Sequence, residues 1–219
     1  PAEYPFLKGN MAPDNLRHFG SDSRMGHIIW NPLYMNIQNI NTFLANFDKT
    51  PTKIQSDKVL LRRMKGEAFF IRAFDYAQLL RSYGGVVLLD KPSVLGGDFT
   101  TLTRSTIEQT KNFILTDIDS AIAILPAKME QGRASRAAAA ALRSRLILFC
   151  ASTLTNGGYE PTNTLVSFPA GSQNVLFPAA RDASQAIKDG TYVTFGLPGT
   201  NHYSPHTLSS GALNNYSNL

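Results

Sequence analysis

The chain has 219 residues, 43% hydrophobic and only 17% charged, enough to bury a sizeable core in one or two domains. Lys and Arg exceed Asp and Glu by 21 to 16, but the basic residues interleave with apolar helical positions instead of forming a stripe, which argues against a nucleic-acid surface. The single cysteine, Cys150, excludes an internal disulfide; it sits in an apolar helical run, where a free thiol acts as a small hydrophobe.

Residues 1–29 contain Pro1, Pro5, Gly9, Pro13, Gly20 and Gly26, which prevent a long helix, and the text from Pro1 lacks the pattern of a secretory leader. Trp30, Leu33, Ile37, Ile40, Leu44 and Phe47 then recur at helical spacing and predict an amphipathic helix over 31–47, opened by Asn31-Pro32. Trp30, the sole tryptophan, lies on this stripe and is assigned to the core. A second helix is predicted over 57–83, with Ser56 as N-cap and a length of about 40 Å. Its apolar residues cover nearly every face, so it reads as a central helix packed on several sides. Gly66 lies inside it, where glycine costs about 1 kcal/mol against alanine; close helix contact is the expected reason. Gly84-Gly85 stops the helix, and a short β-branched run follows.

Ser105 and Glu108 have the spacing of a capping box for a third helix, which ends at Pro126 and carries Ile107, Ile114, Ile118 and Leu125. A fourth begins near Ser135 and carries Leu142, Leu146 and Phe149. A fifth is predicted over 178–189, with Pro178 at N1 and Gly190 past its end. The helices thus form two hairpin-like pairs, 57–83 with 105–125 and 135–151 with 178–189. The fold class expected is all-α, tetratricopeptide-like helical hairpins with long loops, although no strict repeat of that length is legible. The connections 84–104 and 152–177 exceed ordinary loop lengths, which marks them as functional or as insertions.

Catalytic patterns are weak. Asp117 and Asp119 are two apart on a helix and point about 200° away from each other, so they cannot flank one sugar as glycosidase carboxylates do. His202 and His206 have the spacing of zinc helices, but Pro205 between them breaks the helix that spacing needs. His18 and His27 have no partners nearby, and no nucleophile elbow or phosphate-cradling glycine loop is present. No metal, cofactor or enzymatic activity is expected. Glu67 and Arg72 fall in the apolar central helix and need partners, which Arg104 or Asp117 could supply. Phe74 and Phe149 are assigned to the core; the loop aromatics Tyr159, Phe168 and Tyr203 are freer to bind a ligand.

The segment GEAFFIRAFDYAQLLRSYGGV resembles the signature helix of the SusD/RagB family of surface nutrient-binding lipoproteins. WNPLYMNIQNINTFLANF, with Trp30, Tyr34, Ile37 and Asn41 at the recurring positions, is similar to the family's early helix. RSTIEQTKNFILTDIDSAIAILP, GRASRAAAAALRSRLILFCAS and AARDASQAIKDGTYVTF resemble the helices that follow, in the family's order. The family usually has proline after the paired glycines, where this chain has Val86-Val87. Members are much longer, so the resemblance implies an N-terminal helical-repeat portion, with signal, lipidated cysteine and C-terminal half outside residues 1–219. It also implies a non-catalytic protein of the outer membrane's extracellular face, held by an N-terminal lipid. Such a protein lies as a lid on a SusC-type TonB-dependent transporter and hands an oligosaccharide inward by a hinge motion. The segment before Trp30 resembles the region that contacts ligand in starch-binding members and offers Arg17, Phe19, Asp22 and Arg24. A SusD-like binder of peptides, or a helical-repeat scaffold for protein partners, is the alternative.

Overall fold

The computed structural model describes residues 26–192 apart from positions 95, 98, 99, 131 and 159. Its elements are α1 (Gly26–Asn46), a 3-10 turn at Phe47–Lys49, α2 (Gln55–Tyr83), α3 (Ile107–Ile124), α4 (Arg136–Ala151) and α5 (Gln173–Lys188). No strand occurs among the described residues, in agreement with an all-α class. Contacts are densest between α2 and α3 and between α4 and α5, the two hairpins expected. α1 packs on α2, and α3 links the hairpins by packing on α4 as well.

Four helix starts differ from the expected ones. α1 begins at Gly26, which puts Pro32 in its second turn, where proline lacks the N–H of one helical hydrogen bond. α5 begins at Gln173, so Pro178 is interior; Leu176 in the extra turn and Ala180 one turn on are both buried. The box at α3 is made by Thr106 and Gln109, one residue later than Ser105 and Glu108. Thr106 Oγ1 accepts from the Gln109 N–H at 3.1 Å, and Gln109 Oε1 accepts from the Thr106 N–H at 2.9 Å. The Ser105 N–H is engaged elsewhere, donating to Val86 O at 2.9 Å. At α2 the Asp57 carboxylate, rather than Ser56, accepts from the Lys53 and Ile54 N–H groups at 3.2 and 3.4 Å.

The core is built from α2, α3 and α4. Tyr76, Leu79, Leu80, Ile114, Ile118 and Leu125 are almost fully buried, and each apolar side chain so buried contributes roughly 1.5–3 kcal/mol. Gly66 is where the α2–α3 hairpin closes. A Cβ there would lie 2.9 Å from Ile124 Cγ2 and 3.1 Å from Leu125 Cδ2, which is the close approach expected of it. Gly84 leaves α2 at φ 74°, a left-handed conformation that disfavours L side chains, and a Cβ would run into Leu165 O. Past the glycines the chain is extended, and side chains take up its backbone groups. Tyr34 Oη donates to Val87 O at 2.7 Å, Leu89 N–H donates to Tyr76 Oη at 2.8 Å, and Asn41 Nδ2 donates to Leu89 O at 2.9 Å.

As expected, α2 is packed on several sides, by α1, α3 and α4. One strip of it stays open, where Ile71 and Phe74, in the middle of the helix, are exposed.

Candidate functional site

Three polar or aromatic groupings stand out, and only the last is open. The first is the buried charge expected at Arg72. Its guanidinium donates twice to the Asp117 carboxylate, both bonds at 2.7 Å, and once to Asn41 Oδ1 at 2.7 Å. Asn41 passes the network on to Leu89 O and Lys91 O. Burial raises the Asp117 carboxyl, and the Arg72 guanidinium acts in the opposite direction. The pair ties α1, α2 and α3 to the connection after α2, and each guanidinium nitrogen meets a protein acceptor, so it is structural. Arg104, the other candidate partner, instead donates to Gly85 O at 2.8 Å and Tyr83 O at 2.5 Å. Glu67 is met by Arg133 at 2.8 Å. Asp119 faces Arg143 at 3.4 Å, away from Asp117, so the two aspartates do not converge.

The second grouping is aromatic. Trp30, Tyr34 and Tyr83 meet where α1 begins and α2 ends, with the Trp30 ring 4.8 Å from Tyr34 and 5.0 Å from Tyr83. Trp30 is half-buried at the rim of the core, not within it. Burial pushes the Tyr34 hydroxyl up to about 12.

The third is a groove of about 410 Å³ between α2 and α4. Phe74, Ala77, Leu142, Leu146, Leu148 and Phe149 form its apolar surface, and Gln78, Arg81, Arg145 and Ser152 supply the polar atoms. Phe74 and Phe149, assigned to the core from the sequence, line this groove. Helical periodicity identifies an apolar face but does not say whether a neighbour covers it. Phe168, expected to be a free loop aromatic, is buried at 2% exposure under Lys111, whose ammonium lies 5.3 Å from its ring centre. It is therefore unavailable to a ligand.

Arg17, Phe19, Asp22 and Arg24 lie outside the described residues, as do Tyr159, Tyr203, His18, His202 and His206. In sequence the four candidates directly precede α1, the helix that carries Trp30 and Tyr34. Among the described residues no three His, Cys, Asp or Glu side chains gather as metal ligands, and no helix is long and apolar enough to cross a membrane. Burial raises the Cys150 thiol to about 12, which leaves it unreactive.

The described residues thus form a scaffold of α-helical hairpins with an open apolar groove. The family is shown by sequence. Residues 14–148 match the SusD-like model described as "Starch-binding associating with outer membrane", and the chain belongs to that family. A SusD-like protein from Bacteroides fragilis is similar at 31% identity and a TM-score of 0.53, over 58% of this chain and 24% of that one. A laminarin-binding SusD-like protein matches at 23% identity and 0.53, over 58% and 27%. A structure solved with a xylogluco-oligosaccharide matches at 19% and 0.62, over 90% and 34%. The chain thus spans about a quarter to a third of the length of these relatives. No curated protein matches the sequence.

Proposed function

We propose that this chain is the helical-repeat part of a cell-surface protein that binds an oligosaccharide and passes it to a SusC-type TonB-dependent transporter. The observation that carries this reading is the match of residues 14–148 to the starch-binding, outer-membrane-associated family. Relatives described with laminarin and with a xylogluco-oligosaccharide support a glycan as the ligand class. In this reading the two hairpins are scaffold and transporter interface. Arg17, Phe19, Asp22 and Arg24 reach the sugar from the segment before α1, with the arginines and the aspartate bonding hydroxyls and the phenyl ring stacking on a pyranose face. The buried Arg72–Asp117 pair holds the far side of α1 in place.

Affinity electrophoresis tests it. The chain should be retarded in gels containing laminarin or xyloglucan, and the Arg17→Ala, Asp22→Ala double variant should migrate as in a blank gel. Unretarded migration of the folded chain with every polysaccharide tried would sink the glycan reading. The transporter step has its own check, because the protein isolated from outer membranes should bring a TonB-dependent transporter with it. The apolar groove between α2 and α4 favours a second reading, a scaffold for protein partners, which predicts no retardation at all.

A further inference from the structure

We propose that Asn156-Gly157 is a self-modification site gated by the fold. It is a latch on the end of α4 that protects the Asn156 amide while closed and cannot close again once that amide has become aspartate or isoaspartate. This is the one Asn-Gly pair in the sequence. α4 ends at Ala151, and carbonyls at a helix end need donors from outside the helix. Asn156 supplies them: its Nδ2 donates to Cys150 O at 2.6 Å and to Ser152 O at 3.0 Å. Thr155 adds a second tie, with its Oγ1 donating to Cys150 O at 2.9 Å, and its own carbonyl accepts from the Phe168 N–H at 2.8 Å. Phe168 is buried in the core, so the latch couples the end of α4 to the anchor point of the connection 152–177.

The amide is held by its nitrogen alone. Asn156 Oδ1 is buried and meets no donor among the described residues. Gly157 is exposed and turns away at φ 79°, with nothing within 4 Å of where a Cβ would stand, so no side chain obstructs its backbone nitrogen. The reaction open to this pair is cyclisation. Gly157 N attacks Asn156 Cγ, an N–Cγ bond forms, the Cγ–Nδ2 bond breaks, and ammonia leaves with the proton of the Gly157 N–H. Water then opens the five-membered imide, giving aspartate by attack at Cγ or isoaspartate by attack at the main-chain carbonyl carbon. With the latch closed, negative charge developing on Oδ1 is buried without a donor, and two carbonyls hold the departing nitrogen; both raise the barrier. Opening removes both restraints. The product has no hydrogen to offer at neutral pH. A carboxylate at this position meets Cys150 O and Ser152 O as acceptor against acceptor, at the negative end of the α4 dipole.

The test incubates the 219-residue chain and a synthetic peptide of residues 153–161 side by side at pH 8.5 and reads conversion at Asn156 by mass spectrometry of digests. The peptide should convert at least tenfold faster than the folded chain, and the chain unfolded in 6 M guanidinium should match the peptide. Thr155→Val removes one tie and should speed conversion in the folded chain by threefold or more, with an unchanged helical circular dichroism spectrum. Asn156→Asp reproduces the product and should lower Tm by about 4–8 °C, the loss of two hydrogen bonds with repulsion added. Equal rates in the folded chain and the peptide would overturn the proposal, as would indifference to Thr155→Val or an Asn156→Asp chain that melts with the parent. If Asn156→Asp does not fold, the two rate comparisons decide.

Discussion

Replacing Arg72 by methionine removes the cation from the centre of the α1–α2–α3 junction while keeping most of its volume. Asp117 is then left at 3% exposure without the two donors that held it at 2.7 Å, and Asn41 loses its 2.7 Å donor. Stranding one member of a buried pair costs about 3–5 kcal/mol. For a chain of this length each kcal/mol lowers Tm by about 2–4 °C, so the variant should melt some 6–20 °C lower. The loss also has a pH signature. Burial already raises the native carboxyl of Asp117 above its unfolded value, and without the opposing cation it rises further. Its native state is then least penalised below about pH 4, and stability falls as pH rises through the folded pKa. The deficit of Arg72→Met against the parent should therefore be largest at pH 7–8 and shrink towards pH 4, and Arg72→Met with Asp117→Leu should recover most of it. Urea titrations followed by circular dichroism across that range measure all three. A single variant within 1 kcal/mol of the parent at pH 7, or a deficit that grows on acidification, would refute the reasoning.

Asp75 is the converse case, a buried carboxylate that accepts from a neutral amide, Asn36 Nδ2, at 2.6 Å. Burial pushes it up to about 6. Its contribution is fully favourable below about pH 4 and is lost as pH rises through about 6, a difference of about 3 kcal/mol. Asp75→Asn should accordingly raise stability by about 2–3 kcal/mol at pH 7.5 and change little at pH 4, read from urea midpoints. Gly84→Ala should cost 3 kcal/mol or more by the same measure, since it adds left-handed strain to a clash with Leu165 O. Cys150, with its thiol held up at about 12 and fully buried, should resist a disulfide-exchange reagent at pH 8 in the native chain and react at once in 6 M guanidinium.

Much of the scaffold is legible in the sequence because it rests on local signals. The 3.6-residue stripes mark α1, α3 and α4, end signals mark α5, Gly84-Gly85 marks the end of α2, and an interior glycine at Gly66 foretells a close crossing. Helix starts are harder. Prolines 32 and 178 look like first-turn residues, yet burial of Leu176 and the reach of α1 to Gly26 keep both inside helices. Ser105 and Thr106 carry equivalent capping chemistry, and only the pairing of the Ser105 N–H with Val86 O decides between them. Partner choice is also tertiary: Arg72 finds Asp117 because α3 lies alongside α2, whereas Arg104 serves the backbone at Tyr83 and Gly85. The exposure of Phe74 could not be read from spacing alone. The ligand residues proposed before α1 rest on family resemblance, which is a different kind of warrant from periodicity.

The central claim is that this chain binds an oligosaccharide through the segment leading into α1. Isothermal titration of the chain with a laminarin oligosaccharide and with a xyloglucan oligosaccharide addresses it most directly. The account predicts saturable binding of at least one sugar, lost in Phe19→Ala with Asp22→Ala. Absence of saturable heat with both sugars, or binding unchanged in that variant, would contradict it.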